Sequence, residues 1–96
     1  MDVEILDEIF RIVEDRRDNP KPTSYVSSLF AQGLDVILKK IGEEATELVV
    51  AAKDNSQQSV IHEAADLMFH MLVLLACQRI PFQAVLNELK RRRKGP

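Results

Sequence analysis

Residues 59–78, SVIHEAADLMFHMLVLLACQ, are apolar on almost every side of the helix that they predict. Such a helix needs neighbouring helices around it, which is typical of a bundle. Yet Glu63 and Asp66 lie three residues apart within it and therefore share one face, on a stripe with Ser59 and His70. A carboxylate in apolar surroundings is costly unless it is paired or binds a metal ion. The stretch therefore predicts a helical bundle with a carboxylate site beside its core.

A second acidic cluster stands earlier in the chain and consists of Glu43, Glu44 and Glu47. These side chains form a stripe along a predicted helix over residues 35–54, and Glu44 lies closest to the apolar side of that helix. The apolar arc is formed by Ile37, Ile41, Ala45, Leu48, Val49 and Ala52. The acidic stripe therefore borders the surface by which this helix is expected to pack.

The polar segment 54–58 between the two acidic helices predicts a turn and an antiparallel helix hairpin. At a rise of ~1.5 Å per residue, Glu47 and Glu63 both lie roughly 10 Å from that turn. The two clusters are therefore expected to face each other across one groove. Several carboxylate oxygens together suit a hard cation such as Mg²⁺ or Mn²⁺.

The remaining periodicity predicts helices over residues 2–17, a short segment ending at 32, and 81–92, with 57–79 as the apolar helix. Asp2, Ser24 and Asp35 are the predicted N-caps of three helices. Gly33 suits a left-handed position after the short helix, and Pro81 suits a first helical turn. Gly42 lies inside the helix over 35–54, where it serves either close helix packing or space for a ligand.

The 96 residues predict a single domain over 1–96, with the basic tail 90–96 expected to fray. Few glycines, prolines and aromatic residues favour helix over sheet, so we predict an all-α antiparallel bundle of four to five helices. Residues 88–96 carry five basic and one acidic side chain, whereas the whole chain has a net charge of −2. The remainder is therefore acidic, and a nucleic-acid-binding surface is not expected.

A reducing, cytoplasmic location is expected, because the lone cysteine, Cys77, has no partner for an internal disulfide. The acidic segment 1–4 does not resemble a signal peptide. The longest unbroken apolar run, residues 71–77, is far shorter than the ~20 residues that cross a bilayer, so no membrane contact is expected.

The acidic positions resemble the EExxE…ExxD signature of the all-α, MazG-type nucleotide pyrophosphohydrolases. Glu43-Glu44-x-x-Glu47 and Glu63-x-x-Asp66 match it at every acidic position. The segments Ser24-Tyr25, Leu29-Phe30-Ala31, Gly33-Leu34-Asp35 and 37–47 are more specifically similar to the phosphoribosyl-ATP pyrophosphatase family of histidine biosynthesis. The resemblance covers about residues 3–92.

This resemblance implies hydrolysis of the α–β phosphoanhydride of phosphoribosyl-ATP, which gives phosphoribosyl-AMP and pyrophosphate. It also implies that Mg²⁺ is held by Glu44, Glu47, Glu63 and Asp66, to neutralise phosphate charge and orient the attacking water. For Glu43 two roles stay open, support of the ligands and activation of that water.

Several neighbouring residues have two interpretations each. Lys40 and Lys39 either bind phosphate or form ion pairs with Glu44 and Glu43 on the helix surface. Tyr25 either stacks on the purine or packs against the protein. The remaining two are the histidines: His70 is expected to be a hydrogen-bonded core residue rather than an outer contact of the metal site, and His62 to be structural or exposed.

Two other functions compete with the leading one: a house-cleaning pyrophosphohydrolase of the same fold, acting on non-standard nucleoside triphosphates, and a non-catalytic helical dimerisation module. In all three cases the apolar helix needs more cover than one short chain supplies, so a homodimer is expected. Val60, Leu67, Met71, Leu74 and Leu75 are predicted to point one way, with Ile61, Met68 and Leu72 toward the back.

Overall fold

The computed structural model describes residues 2–95, in which five α-helices and no strand are present. The ends of the predicted domain, Met1 and Pro96, lie outside the described residues. The helices are α1 (Glu4–Asp18), α2 (Tyr25–Gln32), α3 (Leu34–Lys53), α4 (Gln57–Cys77) and α5 (Phe82–Arg92). The predicted all-α class is confirmed, and each predicted helix is present with its ends displaced by a few residues at most.

The connection between α2 and α3 is a single residue. The hydroxyl oxygen of Ser24 accepts a hydrogen bond from the backbone N–H of Ser27 at 3.1 Å, which confirms the predicted cap of α2. Gly33 has φ 101° and ψ 178°, so its φ is positive as predicted, but its ψ is extended rather than left-handed helical. The prediction that Asp35 caps α3 is wrong, because α3 begins at Leu34 and Asp35 lies in its first turn.

The predicted cap of α1 is also wrong. α1 begins at Glu4, and Asp2 contributes its backbone carbonyl, which accepts from the N–H of Ile5 at 3.0 Å. The first turn is thus closed by the backbone, and Val3 occupies the cap position without a side-chain hydrogen bond.

α3 and α4 form the predicted antiparallel hairpin, and theirs is the most extensive helix contact. Asn55 in the turn adopts a left-handed conformation with φ 56°, and the hydroxyl of Ser56 caps α4 by accepting from the N–H of Ser59 at 3.3 Å. α1 packs against α4, and α2 lies against both α1 and α3. α1 and α2 therefore cover part of the hairpin.

The core lies between α1, α2 and the halves of α3 and α4 that are distant from the turn. Its buried members are Phe10, Val13, Val26, Leu29, Ile37, Leu72, Val73 and Ala76. α5 is held more loosely, since no residue of it is buried, and its clearest core contact pairs the rings of Phe82 and Phe10 at 5.8 Å. Leu89 of the same helix is exposed.

The burial of α4 does not follow its two predicted apolar sides. Leu72 is buried, at 4% exposure, whereas Met71 and Met68 are 45% and 47% exposed. α1 covers the side of α4 that carries Leu72 and Val73, so the methionines remain at the surface. They line an apolar groove of about 170 Å³ whose other walls are Leu6, Leu72, Leu74, Leu75, Phe82 and Val85.

α4 as a whole is long and apolar enough to cross a membrane, judged by length and composition alone. The expectation of no membrane segment considered only the unbroken run 71–77, which is shorter than the helix. The core helix of a bundle has the same composition, and α4 packs against α1 and α3. Contacts within the chain account for part of its apolar character, since 22% of its most apolar window is buried.

Candidate active site

Three carboxylates from the hairpin converge in the half nearer the turn. Glu44 and Glu47 are one turn apart on α3, and Glu63 faces them from α4. One oxygen of each lies within 4.8 Å of the others. The hairpin therefore brings Glu47 and Glu63 to one height, as their equal distances from the turn require, and Glu44 lies one helical turn further along α3.

Glu44 is more buried than its predicted position beside the apolar arc of this helix indicates. Its side chain is only 7% exposed, and it lies on the buried side of α3 with Ile37 and Ala51. Val49, which was expected in the apolar arc, is exposed at 61%. The face of α3 that meets α4 is therefore rotated from the predicted arc toward the glutamates, and Glu44 lies within that face rather than at its edge.

Two carboxylate oxygens of this group are buried without a hydrogen-bond partner, Oε2 of Glu44 and Oε2 of Glu63. A buried, unsatisfied carboxylate oxygen is strongly unfavourable. A divalent cation would satisfy both oxygens and cancel the repulsion between the side chains. The donor set, three carboxylates and no thiolate, fits Mg²⁺ or Mn²⁺.

The crowding of negative charge also changes the acidity of Glu63. A hydrogen bond that its protonated form can make to Glu47, together with burial and the nearby carboxylate of Glu44, raises its pKa from 4.5 to about 7. The neutral acid is favoured there because a proton shared between carboxylates replaces the repulsion of two like charges. A cation at the same place would compete with that proton.

Asp66 does not join the three glutamates. One of its oxygens lies 3.3 Å from Nε2 of His62, which is one helical turn earlier on α4. His62, Glu63 and Asp66 form a second group with ligand atoms within 4.8 Å of one another. Glu63 thus belongs to both groups, and His62 is exposed, as expected.

Lys40 lies beside the acidic group, with its Nζ 3.7 Å from Oε1 of Glu44 and 3.8 Å from Oε2 of Glu43. Partial burial lowers its pKa, but Tyr25, Glu43 and Glu44 together outweigh that effect and raise the pKa above its ordinary value. The ammonium is therefore held charged at the rim of the groove. Glu43 pairs with Lys40 rather than with Lys39, which is exposed.

Tyr25 and His70 connect α2 to α4. The phenol oxygen of Tyr25 lies 2.8 Å from Nε2 of His70, and Nδ1 of His70 lies 2.8 Å from the backbone carbonyl of Asp66. His70 is buried, so the prediction of a hydrogen-bonded core residue is confirmed. The Tyr25–His70 contact was not predicted, and no sequence signal indicates it, because the two residues are 45 positions apart.

Gly42 precedes the acidic cluster, and a methyl group at its Cα would meet nothing within 4 Å. Close packing within the chain therefore does not explain this glycine. Of the two interpretations, space for a ligand is compatible with the structure.

Several known proteins are similar to this chain in sequence. Residues 6–93 match the family model described as phosphoribosyl-ATP pyrophosphohydrolase. A phosphoribosyl-ATP pyrophosphatase of Methanocella arvoryzae is 47% identical over 93 residues, which are 95% of this chain and 98% of the relative. The corresponding enzyme of Clostridium novyi is 40% identical over 96% of this chain and 84% of its own length. The histidine biosynthesis bifunctional protein HisIE of Caldanaerobacter subterraneus is 44% identical to this chain. The match covers 96% of this chain and 45% of the bifunctional protein.

Proposed function

The chain belongs to the phosphoribosyl-ATP pyrophosphohydrolase family, and we propose that its carboxylate groove carries out that family's reaction with the help of Mg²⁺. The activity is that of a hydrolase of histidine biosynthesis, acting on phosphoribosyl-ATP. The bond cleaved is the α–β phosphoanhydride, and the products are phosphoribosyl-AMP and pyrophosphate. A cytoplasmic location belongs to the same proposal.

The observation that carries the proposal is the pair of buried, unpartnered oxygens on Glu44 and Glu63. Glu44, Glu47 and Glu63 would hold the cation, with Asp66 as the adjacent carboxylate. When bound, Mg²⁺ supplies charge neutralisation for the phosphates and orientation for the attacking water. These ligands must be ionised, so Glu63 has to lose the proton that its neighbours otherwise stabilise.

Lys40 has a role separate from that of the metal ligands. Its side chain is only 32% exposed and its ammonium lies against Glu43 and Glu44, so the ammonium has a defined position. An ammonium at the rim of a carboxylate groove can bind a phosphate oxygen of the substrate. In the same proposal Lys39, further out, adds positive charge without a fixed contact.

Glu43 retains two roles. One oxygen lies near Lys40, so Glu43 either orients that ammonium or accepts the proton that the attacking water loses. Glu43→Gln separates them through kcat and KM. Loss of a proton acceptor lowers kcat at every pH, whereas loss of an orienting contact raises KM with little change in kcat.

The direct test mixes purified protein with phosphoribosyl-ATP with and without Mg²⁺ and follows the products by ³¹P NMR. We expect pyrophosphate and phosphoribosyl-AMP to appear only when Mg²⁺ is present. Faster cleavage of a panel of deoxynucleoside triphosphates would contradict the assignment and favour a house-cleaning enzyme. No cleavage together with a flat calorimetric Mg²⁺ titration would favour the non-catalytic alternative.

A homodimer is part of the proposal. Met68, Met71 and the apolar groove beside them are uncovered in the single chain, and a surface of this kind is typical of a protein interface. A second copy of the chain would cover it and complete the bundle. Light scattering at micromolar concentration tests this, since a mass near 10.9 kDa would identify a monomer.

A further inference from the structure

The two hydrogen bonds of His70 determine which atom carries each proton. A backbone carbonyl can only accept, so Nδ1 of His70 must donate to the carbonyl of Asp66. In a neutral imidazole the other nitrogen is then an acceptor. Tyr25 must therefore donate its hydroxyl proton to Nε2 of His70.

The surroundings of His70 hold its ring in place. The residue is 4% exposed, and its ring is in edge contact with Tyr25 and Phe69. Its two nitrogens contact a phenol and a backbone carbonyl. With the ring fixed in this way, the Nδ1–H tautomer satisfies both contacts.

Tyr25 is half exposed, but its hydroxyl proton is donated inward to His70. The phenol oxygen keeps a lone pair and has no proton left to offer. Phosphate oxygens are acceptors too, so this atom is a poor partner for them. The hydrogen-bond pattern of Tyr25 therefore favours a donor, rather than a phosphate, as the partner of its phenol oxygen.

We propose that Tyr25 contacts the nucleoside part of the substrate by accepting a hydrogen bond from a sugar hydroxyl or a base N–H, and that His70 is a positioning residue that fixes the phenol for this contact. The inference rests on the proposed function, because it takes phosphoribosyl-ATP as the substrate. Tyr25 is connected to the acidic groups through His70, whose Nδ1 lies 2.8 Å from the backbone carbonyl of Asp66. With the phosphates at the carboxylates, the proposal places the nucleoside at Tyr25.

A first test reads the tautomer without any substrate. The chain has only two histidines, so a long-range ¹H–¹⁵N spectrum contains two imidazoles, and His62→Gln identifies the signals of His62. We expect His70 to be the Nδ1–H tautomer at pH 7.5, with its Nε2 resonance displaced by Tyr25→Phe. An Nε2–H tautomer in the wild-type protein would overturn the inference, because Tyr25 would then be free to donate.

A second test compares ligands that do and do not carry a neutral donor. Tyr25→Phe removes one hydrogen bond, so we expect KM for phosphoribosyl-ATP to rise by about two- to tenfold with little change in kcat. Inhibition by pyrophosphate, which lacks sugar and base, should stay within about twofold of wild type, as the missing bond does not concern it. Equal weakening of both ligands would contradict the proposal.

The role of His70 is tested by a double-mutant cycle. His70→Leu should raise KM as Tyr25→Phe does, and the double variant should show no further rise, because His70 acts through the phenol. Additive effects on KM would refute the positioning role. If His70→Leu does not fold, the comparison of phosphoribosyl-ATP with pyrophosphate in Tyr25→Phe still tests the role of Tyr25. Inhibition by AMP and by ribose 5-phosphate shows whether the donor belongs to the sugar or to the base. If it is a sugar hydroxyl, Tyr25→Phe weakens inhibition by both compounds, and if it is a base N–H, only inhibition by AMP is weakened.

Failure of the inference is distinguishable from failure of the proposed function. If wild-type protein does not cleave phosphoribosyl-ATP, the proposed function falls. If it does, and Tyr25→Phe leaves KM unchanged or weakens pyrophosphate equally, only the assignment of Tyr25 and His70 falls.

Discussion

Ile37 on α3 and Val73 on α4 are fully buried among side chains of α1 and α2, in the half of the hairpin distant from the turn. We call this the core half, residues 34–41 and 69–77. In the acidic half, residues 43–53 and 57–66, the same two helices present Glu44, Glu47 and Glu63 to each other. The difference lies in what fills the space between the helices, apolar side chains in one half and carboxylates with unpartnered oxygens in the other.

This contrast indicates a division of labour along one helix pair. Buried apolar side chains in the core half stabilise the hairpin, and that stability holds the carboxylates together against their mutual repulsion. The acidic half is therefore expected to limit activity when altered, and the core half to limit folding. The following variants and conditions test that separation.

The largest expected effect is on activity, from a charge removed in the acidic half. Glu47→Gln or Glu63→Gln keeps the shape of the side chain but removes the negative charge that a cation needs, so turnover should fall by about a hundredfold or more. Pyrophosphate release measures the loss, and circular dichroism checks that the variants are folded. Glu8→Gln, an exposed position on α1, is the matched control. Activity within a few-fold of wild type would exclude a ligand role for the residue altered.

The next effect is on stability, from a cavity in the core half. Leu72→Ala should lower the free energy of unfolding by about 2–5 kcal/mol, because the buried side chain leaves a void. Chemical denaturation measures it, with the exposed Val49→Ala as a control expected within about 0.5 kcal/mol of wild type. A loss of kcat in the protein that remains folded would break the proposed separation of the halves.

A smaller effect is expected from the cation alone. Mg²⁺ or Mn²⁺ binds only the folded protein, so at a hundred times its Kd it should stabilise the fold by about 2.7 kcal/mol. Thermal unfolding at pH 7.5 without substrate measures the shift. Leu72→Ala should retain it and Glu63→Gln should lose it. A melting temperature that ignores both metals would contradict a preformed site.

The smallest effect is a pH dependence of the metal-free protein. The pKa of Glu63 is raised from 4.5 to about 7 in the folded state, so folding favours its neutral form. The stability that this proton provides is complete below pH 4.5 and is lost as the pH rises through about 7. Glu63→Gln should remove this dependence and melt above wild type at pH 8. Parallel melting curves of the two proteins from pH 5 to 8 would contradict it.

The features that the sequence predicted correctly depend on local rules. Ser24 and the polar turn at 54–58 define helix ends through short-range chemistry. The meeting of Glu47 and Glu63 depends only on a fixed rise per residue on both sides of one turn. The helix class and the facing carboxylates could therefore be predicted without knowing how the other helices pack.

The features that could not be predicted depend on the rotation and packing of whole helices. α4 is apolar on nearly all sides, so its periodicity cannot tell that Leu72 is buried and Met71 exposed. The exposure of Val49 and the burial of Glu44 follow from a rotation of α3 that its own sequence does not specify. The contact between Tyr25 and His70 depends on where α2 lies, which is a property of the packed bundle.

Gly33 has a consequence for how this chain tolerates changes of length. Its N–H donates to the carbonyl of Leu29 at 3.0 Å in the last hydrogen bond of α2. Its carbonyl accepts from the N–H of Ile37 at 3.3 Å in the first hydrogen bond of α3. With one residue between the helices there is no slack, so an inserted residue would turn α2 by ~100° relative to α3 if it extended either helix. Tyr25 would then leave His70. Insertions and deletions should instead accumulate at residues 19–23 and 78–81, where the connections are exposed and longer.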